Sequence, residues 1–324
     1  LEEQKVKMMK NAIVAQSGGP TTAINASLAG VIKGCLESNE IDVLYGARNG
    51  VEGLMDERLV NLTEIFENNE ENLKVLKGTP SMYLGSCRRK LKDINRDSSE
   101  YDNIVEIFRK YNIRYFFYIG GNDSMDTVGK MSMYVKKHQM DVKVIGIPKT
   151  IDNDLVVTDH TPGFGSAARY VAASILEMAH DTYIYNTRSV LIAEIMGRDA
   201  GWLTASSVLA RNSYSQAPHL IYLPEHPFSK EQFIEDIREQ FEKREHIVIA
   251  VSEGLRDDKG QYISAETSAV DAFGHATLSG TGKCLENLVA ETFGCKVRSV
   301  EINVLQRCAA HMASATDFVE SWEV

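Results

Sequence analysis

The sequence predicts an α/β fold in which helices cross over between the strands of largely parallel sheets. Short apolar runs alternate with longer helix-like segments along the chain, a pattern typical of parallel sheets with crossover helices. The apolar runs are continuous rather than alternating, as expected for strands covered on both faces. A chain of 324 residues is longer than most chains that fold around a single hydrophobic core, so we expect two domains or lobes.

The individual elements follow from these patterns. Seven short runs rich in apolar, largely branched or aromatic residues are predicted as strands, at 11–16, 41–46, 115–119, 143–147, 189–195, 219–222 and 246–251. Seven longer segments are predicted as helices, at 22–37, 101–111, 124–138, 164–180, 200–210, 230–243 and 280–292. Ligands of open α/β sheets bind beyond the carboxyl ends of strands. The turns at 17–21, 120–124, 148–154 and 196–200 are therefore the candidate site.

The composition narrows the classes of function. A net charge of −10 argues against a nucleic-acid or membrane-surface binder, which needs a basic face. None of the five cysteines forms a C-x-x-C pair, and reduced thiols in a cytoplasmic protein are the simpler interpretation. No apolar stretch approaches the ~20 residues of a membrane span, and the first residues lack a secretory signal. An anionic ligand would need a local basic cluster.

The first turn, SGGPTTAIN at 17–25, lies between a strand and a helix. Paired glycines before a helix N-terminus offer backbone N–H groups to a phosphate. The alternative is a tight turn in which Thr21 or Thr22 caps the helix. Neither this turn nor GTGKC at 280–284 has the spacing of a Walker loop, and the latter is predicted to start a helix.

Two further segments have charge patterns that suit phosphate chemistry. SCRRKLKD, 86–93, holds four basic residues and is either a phosphate cluster or a solvated face. PKTIDND, 148–154, places Asp152 and Asp154 two apart after a strand, so that one carboxylate suits a metal and the other a base. Asx-turn chemistry is the alternative for this turn. The MGR of the turn after strand 189–195 is a weak signal by itself.

The stretch YFFYIGGNDSMDT, 115–127, ends an apolar strand at two glycines followed by Asn122, Asp123 and Ser124. Glycines at this point allow a ligand to approach the backbone closely. The adjacent carboxylate repels a phosphate unless a metal or a base intervenes.

Taken in order, these motifs resemble those of the phosphofructokinase family over nearly the whole chain. The matching motifs are SGGPTTAIN, LGSCR, IGGND, PKTIDND, MGR, VSEG and the arginine pair at 298 and 307. The resemblance implies two similar lobes, each a largely parallel sheet with helices on both faces. It assigns a phosphoryl donor to residues 1–163 with 305–324, and fructose 6-phosphate to residues 164–304. Family members continue for further helices, so we expect C-terminal family helices beyond this sequence.

The resemblance also implies roles on the donor side. Asp152 is the base that takes the proton of the sugar's 1-hydroxyl, while Lys149, Arg88 and Thr150 act on the donor or the phosphoryl group in flight. The donor-binding set implied is Gly18, Gly19, Gly121, Asn122, Asp123 and Ser124. Mg²⁺ is the implied cofactor, held by Asp154 together with Asp123 and Asn122.

On the acceptor side, the residues implied to surround the sugar phosphate are Thr150, Asp154, Met196, Gly197, Arg198, Glu253 and Arg307. Arg188 and Arg298 match arginines that reach the 6-phosphate from a neighbouring subunit in the family. A homo-oligomer, either a dimer or a tetramer, is therefore expected.

Three departures from the family pattern are visible. Asn122 replaces an acidic metal ligand, and Val304 replaces a sugar-binding histidine. One additional residue separates Arg188 from MGR.

The donor is predicted from two positions. ATP-using members of the resembled family have GGDG in the turn where this chain has GGND. Asp123 therefore occupies the position at which a glycine leaves room for the α-phosphate of the nucleotide. A carboxylate there crowds and repels that phosphate but spares a donor of only two phosphates. With Lys149 in place of the glycine of PGTIDND, the pattern resembles the pyrophosphate-dependent branch. An ATP-dependent enzyme, a non-catalytic regulatory subunit and a general nucleotide-binding module are the alternatives.

Overall fold

The computed structural model describes residues 10–263 and 280–324. The chain divides into two compact units, Leu1–Thr150 with Ala315–Val324 as unit 1, and Ile151–Ser314 as unit 2. The units change at Thr150 and Ser314, whereas the ligand-binding lobes expected from the sequence change at 163 and 304. The assignment of one ligand to each lobe stays a prediction.

Unit 1 is built on a five-stranded sheet. Its strands are β1 (Lys10–Gln16), β2 (Ile41–Ala47), β3 (Leu59–Asn61), β4 (Ile113–Gly120) and β5 (Lys143–Pro148). The sheet order is β3-β2-β1-β4-β5, with only the β2–β3 pair antiparallel. The helices are α1 (Ile24–Glu37), α2 (Gly50–Met55), α3 (Leu62–Phe66), α4 (Glu70–Gly78), α5 (Ser99–Lys110) and α6 (Asn122–Lys137).

The central strand β1 explains why an apolar run folds this way. Ile13 and Ala15 belong to one buried apolar cluster, while Ala12 and Val14 belong to the other. Successive side chains of a strand point to opposite faces, so β1 contributes to the cores on both sides of the sheet.

The strand order also locates a ligand crevice. The chain builds outward from β1 in one direction to β2 and β3, and then returns to add β4 and β5 on the other side. Ligands of such sheets bind at this switch point, outside the carboxyl ends of the strands. The turns after β1 and β4 border that position.

Unit 2 contains a smaller, wholly parallel sheet. Its strands are β6 (Ser189–Ile195), β7 (Leu220–Tyr222), β8 (His246–Ser252) and β9 (Lys296–Glu301), in the order β7-β8-β6-β9. Its helices are α7 (Phe164–Thr182), α8 (Trp202–Ser206), α9 (Lys230–Phe241) and α10 (Thr281–Phe293). Alternate residues of β6 again enter two apolar clusters, Leu191 with Ala193 in one and Val190 with Ile192 in the other.

A last helix, α11 (Ala315–Glu323), belongs to unit 1 and packs on α1. A Cβ on Gly30 of α1 would lie 2.2 Å from the carbonyl oxygen of Trp322, so a glycine at this position permits the close approach. Lys77 covers the Trp322 ring from α4.

The predicted strands and helices are confirmed to within two residues at their ends, with one correction. The predicted helix 200–210 is the short helix α8 followed by a 3₁₀ turn at Ser207–Ala210. β3, β9 and several short helices were not predicted. Within the described ranges, no helix combines the length and the apolar character that crossing a membrane requires.

Candidate active site

The turn after β4 shows which of its residues the fold requires. β4 ends at Gly120, Gly121 is the N-cap of α6, and Asn122 and Asp123 begin the helix. A Cβ on Gly120 would lie 2.0 Å from the Ser124 hydroxyl oxygen, so the packing demands glycine. A Cβ on Gly121 would meet nothing closer than 3.7 Å, and its φ of −83° is ordinary for any residue. The packing of the protein therefore does not explain Gly121, but close approach of a ligand would.

A hydroxyl pair joins this turn to the turn after β1. The Ser17 and Ser124 hydroxyl oxygens are 2.5 Å apart, and both residues are buried. At the start of α1, Thr21 Oγ1 accepts the Ile24 N–H at 3.0 Å. The N-cap position of α1 is Ala23. The hydroxyl of Thr21 thus caps the start of α1, as one alternative predicted, although the residue at the N-cap position is Ala23. This capping bond and the glycine turn occur together.

Lys149 supplies a buried cation at the same edge of the unit 1 sheet. It follows β5 with 3% of its surface exposed, and its Nζ donates to the Gly19 carbonyl at 2.5 Å. The Nζ also lies 3.3 Å and 3.9 Å from the Cβ positions built on Gly18 and Gly121. The predicted donor residues Gly18, Gly19, Gly121 and Lys149 are therefore close together.

The basic run at 88–92 is divided among acidic partners. Arg89 donates to buried Glu100 at 2.5 and 2.9 Å, and Lys92 donates to Asp97 at 2.6 Å. Lys90 Nζ lies 3.4 Å from Asp123 Oδ1. The run is not one phosphate cluster: two of its charges stabilise the local loop, while Lys90 reaches the donor turn.

The loop that carries Arg88 is attached to the glycine turn. The Ser86 hydroxyl donates to the Gly18 carbonyl at 2.7 Å, and the Leu84 N–H donates to Gln16 at 3.0 Å. Arg88 itself is exposed. These bonds hold the LGSCR segment beside the end of β1.

In unit 2, Asn153 anchors the turn that carries both aspartates. Asn153 is buried and left-handed at φ 58°, and its side-chain oxygen accepts the Thr161 N–H at 2.8 Å. Its flanking residues differ: Asp152 is half-buried and Asp154 is exposed. The Asx-turn alternative therefore holds at this turn for the side chain of Asn153.

The ends of β6 and β8 bring MGR and SEG together. Glu253 donates its N–H to the Ile195 carbonyl at 2.9 Å and accepts the Gly197 N–H at 3.3 Å. A Cβ on Gly254 would lie 1.8 Å from the Arg198 carbonyl oxygen, so only glycine fits between the two turns. The predicted residues Gly197, Arg198 and Glu253 are therefore neighbours.

A carboxyl group with a raised pKa and a buried arginine nitrogen lie at these two ends. Burial, followed by repulsion from Glu194 and Asp152, raises the pKa of Glu253 to about 7. Asp152 thus lies within electrostatic reach of Glu253. The Nε of Arg198 is buried and makes no hydrogen bond within the described residues. A buried donor of this kind is satisfied by a water molecule or by a ligand oxygen.

Glu194 was missed from the sequence. It is 4% exposed within β6, and its carboxylate accepts the Gly282 N–H at 2.7 Å, in the first turn of α10. Burial raises the pKa of Glu194 to about 7. A lone acidic residue inside an apolar strand was the available signal.

The three remaining arginines are dispersed over unit 2. Arg307 ends the 3₁₀ turn after β9, whereas Arg188 immediately precedes β6 and stacks over Phe241 at 5.2 Å. Arg188 is therefore at the opposite end of β6 from MGR, roughly 25 Å away along an extended strand. Arg298 is exposed on β9 and lies 3.4 Å from Asp181. Within the unit, Arg188 does not join the Gly197–Glu253 cluster.

The carboxylates at the candidate site suit Mg²⁺ better than a metal that the protein binds by itself. Among the described residues, no group of three or more His, Cys, Asp or Glu side chains is arranged to hold a metal ion. Mg²⁺ bound to phosphates needs only one or two carboxylates, because water and phosphate oxygens complete its shell. Exposed Asp154 fits that requirement, whereas Asp123 already faces Lys90.

Comparisons with known proteins all find similarity to phosphofructokinases. Residues 11–307 match the family described as Phosphofructokinase. The chain is 39% identical to "Pyrophosphate--fructose 6-phosphate 1-phosphotransferase" of Halomonas elongata, covering 97% of this chain and 75% of the relative. It is 42% identical to the protein of the same name from Xanthomonas campestris pv. campestris, over 97% of this chain and 74% of the relative. The crystal structure of a pyrophosphate-dependent phosphofructokinase from Nitrosospira multiformis matches with a TM-score of 0.83 and 36% identity, over 97% of this chain and 74% of that chain.

Proposed function

Because the chain belongs to the phosphofructokinase family, we propose that it transfers a phosphoryl group from pyrophosphate to the 1-hydroxyl of fructose 6-phosphate. The products are fructose 1,6-bisphosphate and orthophosphate, and the transfer is reversible. The relatives named for this activity support the assignment. It is a reaction of glycolysis, and we place the protein in the cytoplasm.

Our proposal that pyrophosphate is the donor rests on one observation, the position of the Asp123 side chain in the turn after β4. Asp123 is in the first turn of α6 with its side chain 29% exposed and Lys90 opposite at 3.4 Å. The carboxylate is thus a fixed part of the turn. Its bulk and its partly neutralised charge stand where the ATP-using pattern has a glycine. A donor of two phosphates requires no space there.

Lys149 complements that exclusion. Its ammonium is buried between the Gly18 and Gly121 positions, where it favours a compact dianionic or trianionic donor. Pyrophosphate has no nucleoside to contribute binding energy, so a fixed cation at the phosphates is of greater value to it. Arg88 and the Gly121 turn at the start of α6 complete the proposed donor set.

The transfer needs little covalent assistance from the protein, because phosphoryl transfer depends on positioning and charge neutralisation. Asp152 accepts the proton of the 1-hydroxyl as the sugar oxygen attacks phosphorus and the phosphorus–oxygen bond of the donor breaks. Its half-buried position in the turn anchored by Asn153 keeps the carboxylate fixed. Thr150 contacts the acceptor or the group in flight.

The sugar phosphate is held by groups of unit 2. Glu253 accepts hydrogen bonds from sugar hydroxyls, and Arg198 and Arg307 contribute cationic donors. The buried Nε of Arg198 supports this role, because a ligand oxygen would satisfy it. Met196 and Gly197 line the same turn.

Mg²⁺ would be held by Asp154, with Asn122 as a weaker ligand, and Asp123 could join only if Lys90 were displaced. When bound, the ion neutralises charge on the donor oxygens. The family pattern and the exposed carboxylate of Asp154 support this assignment.

A homo-oligomer accounts for the two remaining arginines. Arg188 precedes β6 at the end opposite MGR, and Arg298 is exposed on β9. Their expected contact with the 6-phosphate would therefore be made in a neighbouring copy.

One assay tests the proposal. The purified protein is incubated with fructose 6-phosphate, Mg²⁺ and either pyrophosphate or ATP, and fructose 1,6-bisphosphate is measured. We expect product with pyrophosphate and little or none with ATP. Product with ATP alone would support the ATP-dependent alternative, and sugar-phosphate binding without product from either donor would support a regulatory subunit.

A further inference from the structure

The first turn of α10 is bonded to two acidic residues of unit 2. Glu194 of β6 accepts the Gly282 N–H at 2.7 Å, and the Thr281 hydroxyl donates to the Glu253 carbonyl oxygen at 3.1 Å. Glu194, Thr281 and Gly282 are all buried. A Cβ on Gly282 would lie 3.1 Å from the Glu194 carboxylate, so the contact is closely packed.

These bonds connect Glu194 to the sugar-phosphate cluster without placing it there. Glu194 fixes the start of α10, the start of α10 fixes the Glu253 backbone, and Glu253 in turn accepts the Gly197 N–H. We propose that Glu194 is a positioning residue for the sugar-binding carboxylate of Glu253 and acts through the first turn of α10. This inference rests on the proposed function.

The choice of a carboxylate at position 194 has a physical reason. An anion at a helix N-terminus is stabilised by the helix dipole and by N–H groups that lack partners within the helix. A carboxylate therefore binds the start of α10 more firmly than a neutral acceptor would. The opposing effect is burial, which together with Glu301 of β9 raises the pKa of Glu194 to about 7.

The charged groups around the pair define a pH dependence. Glu301 faces Glu194, while Glu194, Asp152 and Arg198 face Glu253. A carboxyl whose pKa is raised on folding contributes stability that is present below about pH 4.5 and is lost as the pH rises through about 7. Glu194→Gln removes one of the two groups, so the loss of thermal stability between pH 5 and pH 8 should be smaller in this variant.

Kinetics test the positioning role directly. Glu194→Leu keeps the volume but loses the acceptor, and we expect its KM for fructose 6-phosphate to rise about tenfold, the size of one lost hydrogen bond. The KM for pyrophosphate should change by less than about threefold, because the donor groups belong to unit 1, and kcat should change as little because the variant retains the proposed base Asp152. Glu194→Gln retains an acceptor oxygen for the Gly282 N–H and should restore most of the lost affinity.

Two further variants keep the inference falsifiable. Thr281→Val removes the hydroxyl that holds Glu253 and should reproduce the rise in KM even if Glu194→Leu does not fold. Glu286→Leu is the matched control, since Glu286 of α10 accepts the Ser299 N–H of β9 at 2.8 Å and so bonds α10 to β9 rather than to Glu253. It should leave the KM for fructose 6-phosphate unchanged.

The outcomes separate this inference from the proposed function. If the unmodified protein is active while Glu194→Leu and Thr281→Val leave the KM for fructose 6-phosphate unchanged, the positioning role is wrong. An equal rise in Glu286→Leu would likewise overturn it, because the effect would then be one of helix packing. An unmodified protein without pyrophosphate-dependent turnover would overturn the proposed function, and the positioning role would then be judged from the affinity of the unmodified protein and its variants for fructose 6-phosphate alone.

Discussion

Replacing Asp123 with glycine should admit ATP as a phosphoryl donor. Asp123 lies in the first turn of α6, where the ATP-using pattern has a glycine. The substitution removes both the carboxylate and its bulk from a turn that Gly120 and Gly121 bring close to the donor. Some ATP-dependent turnover should therefore appear.

The size of the effect follows from the position of the carboxylate. Two like charges ~4 Å apart repel by about 1 kcal/mol in water and about 4 kcal/mol at an effective dielectric constant near 20. The Asp123 side chain is 29% exposed, and Lys90 at 3.4 Å offsets part of its charge. We therefore expect a relief of about 1–3 kcal/mol, or roughly 5- to 150-fold in kcat/KM for ATP.

A second substitution separates charge from bulk. Asp123→Asn removes the charge and keeps the volume, so it should gain less ATP activity than Asp123→Gly if volume contributes. Lys90→Met tests the opposing cation, because loss of Lys90 leaves the Asp123 charge uncompensated beside pyrophosphate and should raise the KM for that donor. The double variant Asp123→Gly with Lys149→Gly should gain further ATP activity and lose pyrophosphate activity.

The assay measures kcat/KM for both donors at saturating fructose 6-phosphate and Mg²⁺. Glycine in the first turn also costs helix stability, about 1 kcal/mol, so folding is checked by thermal unfolding. If Asp123→Gly folds and still makes no product from ATP, or if the unmodified protein prefers ATP, the explanation of donor choice by this turn is refuted.

Three other substitutions test the remaining assignments. Asp152→Ser should lower kcat by at least ~10²-fold with little change in the KM for fructose 6-phosphate, and unchanged turnover would exclude Asp152 as the base. Arg188→Ala and Arg298→Ala should each raise that KM without affecting the unfolding temperature; an active monomer, measured by light scattering at assay concentration, would exclude their action across an interface. Gly120→Ala should destabilise unit 1 by about 1–3 kcal/mol in denaturant titration, because its Cβ would lie 2.0 Å from the Ser124 hydroxyl oxygen, and a neutral result would contradict that packing.

Much of the fold could be predicted because buried parallel strands have a clear sequence pattern. β1, β4, β6 and β8 are continuous apolar runs whose alternate side chains enter separate cores. β9 was missed because KVRSVE has three charged residues and only two apolar ones, as suits a strand at the edge of the sheet that the described residues form. β3 has three residues and is too short for a periodic signal.

The turns that carry the candidate site could be located from the sequence, but the contacts between them could not be predicted. The turns at the strand ends could be located because ligands bind there in this class of sheet. The pairing of Lys90 with Asp123 joins segments 33 residues apart, and the Ser17–Ser124 bridge spans 107 residues. No local pattern encodes such pairs, and Glu194 carried no signal beyond a lone acid in an apolar strand.

The distribution of constraints within the turn after β4 explains how donor choice can differ between members of one fold. Gly120 and Ser124 are fixed by their mutual packing and by the hydroxyl bridge to Ser17, so changes there disturb the sheet edge. The core places no such demand on Gly121 and Asp123. A Cβ on Gly121 would make only ordinary van der Waals contacts, and Asp123 is partly exposed with a lysine partner. Substitutions at these two positions are therefore expected to alter which donor the turn admits without disturbing the sheet edge. Specificity for the donor is thus expected to lie in the side chains that the fold leaves undetermined, with Asp123 and Lys90 the pair to exchange first.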